Sequence, residues 1–281
     1  MTNVVNKANV TVSGNAQNAV GGIVGGLDVS ASSSLKMTGC ANFGTITAGN
    51  NYVGGLIGSA RGAITINESY NTGAVSNTGT VYGSYTAGLI GEMESSKLTL
   101  KAAYNTGAVS GAKTNASGLF GTLSTVSANS TVASCYNAGT VTSSFSTAAV
   151  AGFYKDGSTN VTFTDVYYLG TLPAAKYGSD TDVTLPGVTG IEDTEIFKQI
   201  VIALDDFACD AKNINGGFPI LKWRSDECQH LNTEEKVTVN NDGTHTITTV
   251  CKDCGKTVKT ETKSCENDGT GKSKPPAKPA A

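Results

Sequence analysis

Over roughly the first 170 residues the apolar positions fall in short alternating runs, with no helical spacing between them. "SLKMTGC" at 34–40, "AITINES" at 63–69, "KLTLKAA" at 97–103, "STVASC" at 130–135 and "NVTFTDV" at 160–166 alternate apolar and polar residues. This is the period of a half-buried strand. A glycine phrase precedes each run: "VGGIVG" at 20–25, "VGGLIG" at 53–58, "TAGLIG" at 86–91, "ASGLFG" at 116–121 and the worn copy "TAAVAG" at 147–152. A corner of the form Asn-x-Gly-x-Val completes the unit, as in "CANFGTI" at 40–46, "SYNTGAV" at 69–75, "AYNTGAV" at 103–109 and "CYNAGTV" at 135–141. Each unit therefore holds three short β segments separated by polar or glycine-rich turns.

The corners set the period. Their small residues are Ala8, Gly44, Gly73, Gly107, Gly139 and Gly170, separated by 36, 29, 34, 32 and 31 positions. The Asn two places earlier recurs as Asn6, Asn42, Asn71, Asn105 and Asn137, and Tyr168 replaces it in the last copy. A unit this small cannot bury its own apolar face, so successive units must stack around one interior. The pattern predicts an all-β, right-handed parallel β-solenoid of about five to six coils, roughly 25–30 Å long at about 4.8 Å per coil. Leu or Ile of the glycine phrase and Val or Ile after the Asn turn should form inward ladders. The corner Asn should bond local backbone and its counterpart one coil away.

Composition narrows the picture. Aromatic residues make up 7% and charged residues 15%, and there are 34 Gly, too few large side chains for a thick layered core. A net charge of −3 and a pI near 5.4 leave no electrostatic footprint for nucleic acid. No run approaches the roughly 18 apolar residues of a membrane span. Met1 leads into "TNVVNKANVTV" without a basic region and apolar stretch, so no signal peptide is read. The start reads as that of a piece of a longer surface protein.

Catalytic chemistry is hard to find on the solenoid. Residues 1–225 contain no His, and Asp28, Glu68, Glu92, Glu94, Asp156 and Asp165 read as scattered over different coils or repeat phases. No metalloprotease, nucleophile-elbow or phosphate-loop motif occurs, and the chain is expected not to be an enzyme. Cys40 and Cys135 share a phase three coils apart, roughly 14 Å by strand spacing. A disulfide needs Cα atoms within about 7 Å, so both are expected as core fillers. A loop insertion, "SNTGTVYGSY" at 76–85, carries Tyr82 and Tyr85 as candidate partner-contacting residues; alternatively these rings cover the solenoid.

Beyond the repeats, residues about 190–224 are expected to cap the solenoid. Ile196, Phe197, Ile200, Val201 and Leu204 have helical spacing, with Glu192, Asp193 and Glu195 at the start. "NGGFPILKW" adds a turn and a short strand ending in Trp223, the single tryptophan. The cap is expected to cover the exposed edge of the last coil and to bury Cys209.

Residues 225–268 form a second module, a small β-meander too thin to stand without a staple. Cys228, His230, Cys251 and Cys254 are the candidate ligands of a structural zinc ion, with His245 and Cys265 as substitutes. Disulfides among the four cysteines are the alternative. Residues 269–281, rich in Pro, Lys and Ala, read as a disordered linker or tail.

The glycine phrases "VGGLIG", "TAGLIG" and "ASGLFG", each followed some 13–16 residues later by the Tyr-Asn-x-Gly-x-Val corner, resemble the GLUG-motif repeats of bacterial surface proteins. The resemblance covers about residues 5–170. "TEIFKQIVIALDDFACDAKNINGGFPILKW" at 194–223 is similar to the segment that closes such arrays, and 225–268 resembles Cys/His-rich repeats of surface proteins of gut bacteria. GLUG repeats occur in adhesin-like secreted proteins and in accessory regions of immunoglobulin A peptidases. The resemblance thus implies an extracellular or cell-wall-attached location. Together with the missing catalytic groups, it points to a monomeric, non-enzymatic adhesin or stalk for a host glycoprotein, immunoglobulin or glycan. The alternative is an accessory domain of a larger secreted peptidase or glycan-active enzyme. Ice binding is disfavoured because no Thr-x-Thr ladder persists across coils.

Overall fold

The computed structural model describes residues 1–13, 19–28, 34–49, 52–80, 83–124, 129–154, 160–178, 181–225, 233–251, 257–264, 266–267 and 273–274. The chain divides into two compact units, Met1–Ser225 and Asp226–Ala281. No helix among the described residues is long and apolar enough to cross a membrane.

The first unit is a parallel β-solenoid. One five-stranded sheet stacks Val10–Val12, Ile46–Ala48, Val75–Asn77, Val109–Gly111 and Val141–Ser143. A second stacks Ala19–Gly21, Tyr52–Gly54, Ser84–Ala87, Thr114–Ser117 and Ser146–Ala148. The rest of each coil joins a 14-stranded sheet. The asparagine rungs Asn6, Asn42, Asn71, Asn105 and Asn137 are in register. The five asparagine rungs are separated by four turns, and one more coil follows in parallel register through Val161–Leu169 before the stack turns irregular. There the next partner of Asn137 is Tyr168, and one strand, Ala175–Tyr177, turns to an antiparallel neighbour.

The inward ladders follow the alternation. Met37, Ile66, Leu100, Val132 and Phe163 form one, and Val24, Ile57, Ile90, Phe120 and Ala151 another. Most of these side chains are fully buried, each contributing about 1.5–3 kcal/mol through water removed from apolar surface. The segmentation differs from the sequence reading. The glycine phrase splits into two strands, and its second half fuses with the alternating run into Ile57–Asn67 and Ile90–Asn105. The split arises because Gly54 lies against the Ile57 carbonyl; a Cβ there would sit 1.9 Å from its oxygen.

The second glycine of the phrase has a different cause. A Cβ on Gly55, Gly88 or Gly118 would lie 2.5, 2.2 or 2.1 Å from the amide carbon of Asn71, Asn105 or Asn137. Those amides form a continuous hydrogen-bonded ladder. Each Nδ2 donates to the next Oδ1, from Asn6 to Asn42 (2.7 Å), Asn71 (2.7 Å), Asn105 (2.8 Å) and Asn137 (2.9 Å). Each also donates to the carbonyl two residues on, as from Asn105 to Gly107 at 2.9 Å. The glycine row makes room for the amide row. In the following coil both lapse, as Ala149 and Tyr168.

Residues just before the corner adopt left-handed backbone in every coil: Gly39, Glu68, Ala102, Ser134 and Asp165, with φ of 49–65°. This swing keeps Cys40 and Cys135 inward, both fully buried in the core as expected, while the next residue faces out. Burial pushes the Cys135 thiol up to about 12.

The segment after the repeats departs from the expected end cap. Val188–Ile191 does extend the last coil by pairing with Val166–Leu169. The helix Thr194–Ile202, capped by the Asp193 carboxylate on the amides of Glu195 and Ile196 (both 2.9 Å), and the chain to Arg224 lie instead along the solenoid's flank. The physical reason is a row of outward tyrosines that needs covering. Of the helix's apolar residues, Phe197 and Val201 are buried, whereas Ile196 is exposed.

Cys209, expected buried, is exposed. It follows the short strand Phe207–Ala208, whose Phe207 takes the inward place. We expect a maleimide at pH 7.5 to modify the Cys209 peptide in the native protein and leave the Cys40 and Cys135 peptides unmodified, as read by peptide mass mapping. Equal labelling of all three would contradict the buried placement.

The second unit is an antiparallel meander of Thr233–Val239, Thr244–Cys251 and Thr257–Ser264. Of 269–281, expected to be disordered, Ser273–Lys274 pairs with Glu266–Asn267 through backbone hydrogen bonds; the remainder lies outside the described residues.

Candidate functional site

Two rows of aromatic rings project outward from the solenoid, and they have different fates. Tyr70, Tyr104 and Tyr136 stack face to face at 4.9 Å between centroids, with interplanar angles of 9° and 2°. The chain's own C-terminal segment seals this row. Asn215 Nδ2 donates to the Tyr136 hydroxyl at 3.0 Å, and that hydroxyl donates to the Pro219 carbonyl. Phe197 and Phe207 pack on Tyr136. Arg224, 2% exposed, holds its guanidinium 4.2 Å above the Tyr70 ring and donates to the Tyr104 hydroxyl. Its neighbour Trp223, prominent in the sequence, is 43% exposed and takes no part in that seal.

Among the described residues, no C-terminal segment covers the second row. Tyr52 and Tyr85 stack at 6.0 Å and 4°, and the stripe continues through Phe153 (6.1 Å) to Tyr177 (5.8 Å). Tyr85 and Phe153 meet over the intervening coil, closing it. Tyr85 was expected on a projecting loop; it lies on strand Ser84–Ala87, half-buried, because the insertion ends before it. Tyr82 lies outside the described residues.

Beside Tyr52 the ladders assemble a charged cleft. Asp28, Arg61 and Glu94 share one register position in three successive coils. Arg61 donates to Glu94 at 2.6 Å, and that carboxylate, followed by Glu92 and last by Asp28, raises the guanidinium's pKa further. One pleat away, Gly26, Ser59 and Glu92 share a second position, where Ser59 donates to the buried Glu92 at 2.6 Å. The scattering of carboxylates read from the sequence is thus corrected: Asp28, Glu92 and Glu94 converge, because loops of unequal length conceal their common register. Burial, and then the adjoining Glu92 carboxylate, push the Tyr52 hydroxyl up to about 12 and raise that of Tyr85. Both phenols are therefore neutral donors at physiological pH. The cleft, shallow and open to solvent, has a volume of about 290 Å³ between Ala19, Leu27, Tyr52, Asp28, Arg61 and Glu92, near the lower end of small-ligand clefts, about 300 Å³.

Tyr52, Ser59 and Arg61 were not singled out in the sequence, though for Tyr52 a signal was present. Tyr immediately precedes the glycine phrase in both "NYVGGLIG" and "SYTAGLIG", marking an outward position repeated one coil apart.

In the second unit, Cys228, His230, Cys254 and Cys265 lie outside the described residues, as does the side chain of Cys251. Backbone placement still bears on the zinc expectation. His245 and Cys251 are six residues apart on one strand, about 20 Å at strand rise, so they cannot ligate one ion. His245 is opposite Val239 and Lys263, whereas Cys251 is opposite Thr233 at the other end of the meander. No metal-binding group occurs among the described residues.

These features define a parallel β-solenoid with one self-sealed and one open aromatic flank. Comparison of the chain with protein-family models, curated proteins and solved structures finds no match.

Proposed function

We propose that this chain is a non-enzymatic recognition module of the GLUG-repeat type, secreted or attached to the cell wall, that binds host glycans or glycoproteins through the open flank. One contrast carries the reading: the chain covers its Tyr70–Tyr104–Tyr136 row with its own segment, whereas among the described residues no such segment packs over the Tyr52–Tyr85–Phe153–Tyr177 stripe. Tyr177 is exposed and Tyr52, Tyr85 and Phe153 are half-buried, and partly exposed aromatic rings rimmed by charge mark interaction surfaces. A parallel stack of strands holds them at fixed spacing, so little ordering entropy is lost on contact. Recognition is favoured over hydrolysis because two of the three neighbouring carboxylates are engaged, Glu94 by Arg61 and Glu92 by Ser59.

The test is surface plasmon resonance with the full chain over immobilised mucin, serum glycoproteins and immunoglobulin A. Binding to at least one is expected, weakened about fivefold or more by Phe153→Ala. Absence of binding by folded protein to all of them would refute the reading. If deglycosylating the captured partner leaves binding intact, a protein epitope replaces the glycan.

A further inference from the structure

The Tyr52–Tyr85 stack stops one rung short. The register position that holds Tyr52 and Tyr85 is occupied in the first coil by Ala19. The adjoining position, Ser59 and Glu92 in the next coils, is occupied there by Gly26. Among the described residues, two small residues side by side leave one face of the Tyr52 ring over the slot that a further stacked ring would fill, and the cleft of about 290 Å³ occupies that place.

We propose that this slot binds one neutral pyranose ring, stacked on Tyr52 as the missing rung of the aromatic row. The shape suits a flat six-membered ring, since the neighbouring rung of this row holds Tyr85 parallel to Tyr52 at 6.0 Å and 4°, and a ring placed one rung further on would stack on the other face of Tyr52 in the same way. The periphery favours a sugar over an aromatic side chain. Asp28, Arg61, Ser59 and Glu92 surround the slot, and beyond the Arg61–Glu94 and Ser59–Glu92 bonds their carboxylate lone pairs and guanidinium N–H groups can meet ring hydroxyls, which an aromatic edge does not use. Sign selects neutrality: three carboxylates, Asp28, Glu92 and Glu94, face a single guanidinium, Arg61. A uronate, sialate or sulfated ring would meet net repulsion there.

This inference rests on the glycan-binding reading above and can fail separately from it. The probes are lactose, cellotriose, chitotriose, a heparin disaccharide and N-acetyltyrosinamide, each titrated into the full chain and followed by saturation-transfer difference NMR. At least one neutral sugar should receive saturation at its ring C–H protons. The heparin disaccharide should receive none. Tyr52→Ala should weaken the response at least tenfold. Ala19→Tyr should do the same by filling the slot with the protein's own ring; because it adds a stacked ring, it keeps the fold and controls for unfolding of Tyr52→Ala. The proposal is overturned if no neutral sugar responds, if N-acetyltyrosinamide alone binds, or if Ala19→Tyr binds sugar undiminished. Glycoprotein binding that survives Ala19→Tyr would sink the slot and leave the wider reading standing.

Discussion

Asn105→Ala is expected to lower the unfolding free energy by about 3–5 kcal/mol. The substitution removes the middle rung of a buried amide ladder. It strips the Asn71 Nδ2 of its acceptor at 2.8 Å, the Asn137 Oδ1 of its donor at 2.9 Å, and the Gly107 carbonyl of its 2.9 Å bond. Each buried polar group left unsatisfied costs about 1–3 kcal/mol, and water cannot reach these because the rungs are 0–2% exposed. Gly88→Ala should be at least as damaging. Its new Cβ would lie 2.2 Å from both the Asn105 amide carbon and the Gly118 carbonyl oxygen. Backbone has to move to relieve the second clash, so a cost above about 3 kcal/mol is expected. The double variant tests whether glycine and asparagine rows are one device. Removing the Asn105 side chain relieves one clash, so the combined loss, from denaturant titrations, should fall at least about 1 kcal/mol short of the sum. Strict additivity would separate the two rows.

Arg224→Ala should release the C-terminal segment from the tyrosine row and cost about 3 kcal/mol. The guanidinium stacks over Tyr70 at 4.2 Å and donates to Tyr104 while almost fully buried. A desolvated cation over a ring contributes about 2 kcal/mol, and a charged hydrogen bond about 1.5–3 kcal/mol, less the cost of burying the charge. Arg224→Lys should not rescue, because an ammonium cannot lie flat on one ring while reaching the next hydroxyl. Hydrogen exchange should show faster amide exchange across 194–225, with the strands around Ile66 and Leu100 unchanged. Uniform acceleration throughout the solenoid would instead make Arg224 part of the global fold.

The Asn ladder and the inward Leu and Ile rows were legible in the sequence because both depend on a residue recurring at one phase, which the corner motif marks directly. The fate of Tyr85 and of the carboxylates was not. Asp28, Arg61 and Glu94 look unrelated until strand register aligns them, and the unequal loops hide that register. Cys209 was misplaced because position within a cap says nothing about which side of a two-residue strand faces the solenoid. Arg224 gave no local signal at all: its partner Tyr104 is 120 residues away.

By itself, then, the sequence determined the stacking. A recurring Asn-x-Gly corner, a glycine phrase and period-two alternation admit one solution, a chain wound on itself with like residues over like, because each coil buries its apolar face against the next. The tertiary structure decided which outward rows meet water. The C-terminal segment could have covered either tyrosine row; its apolar Phe197 and Phe207 and the buried Arg224 fit the Tyr70–Tyr104–Tyr136 side, and that choice, made by contacts between residues far apart in the chain, leaves Tyr52 facing the open slot over Ala19.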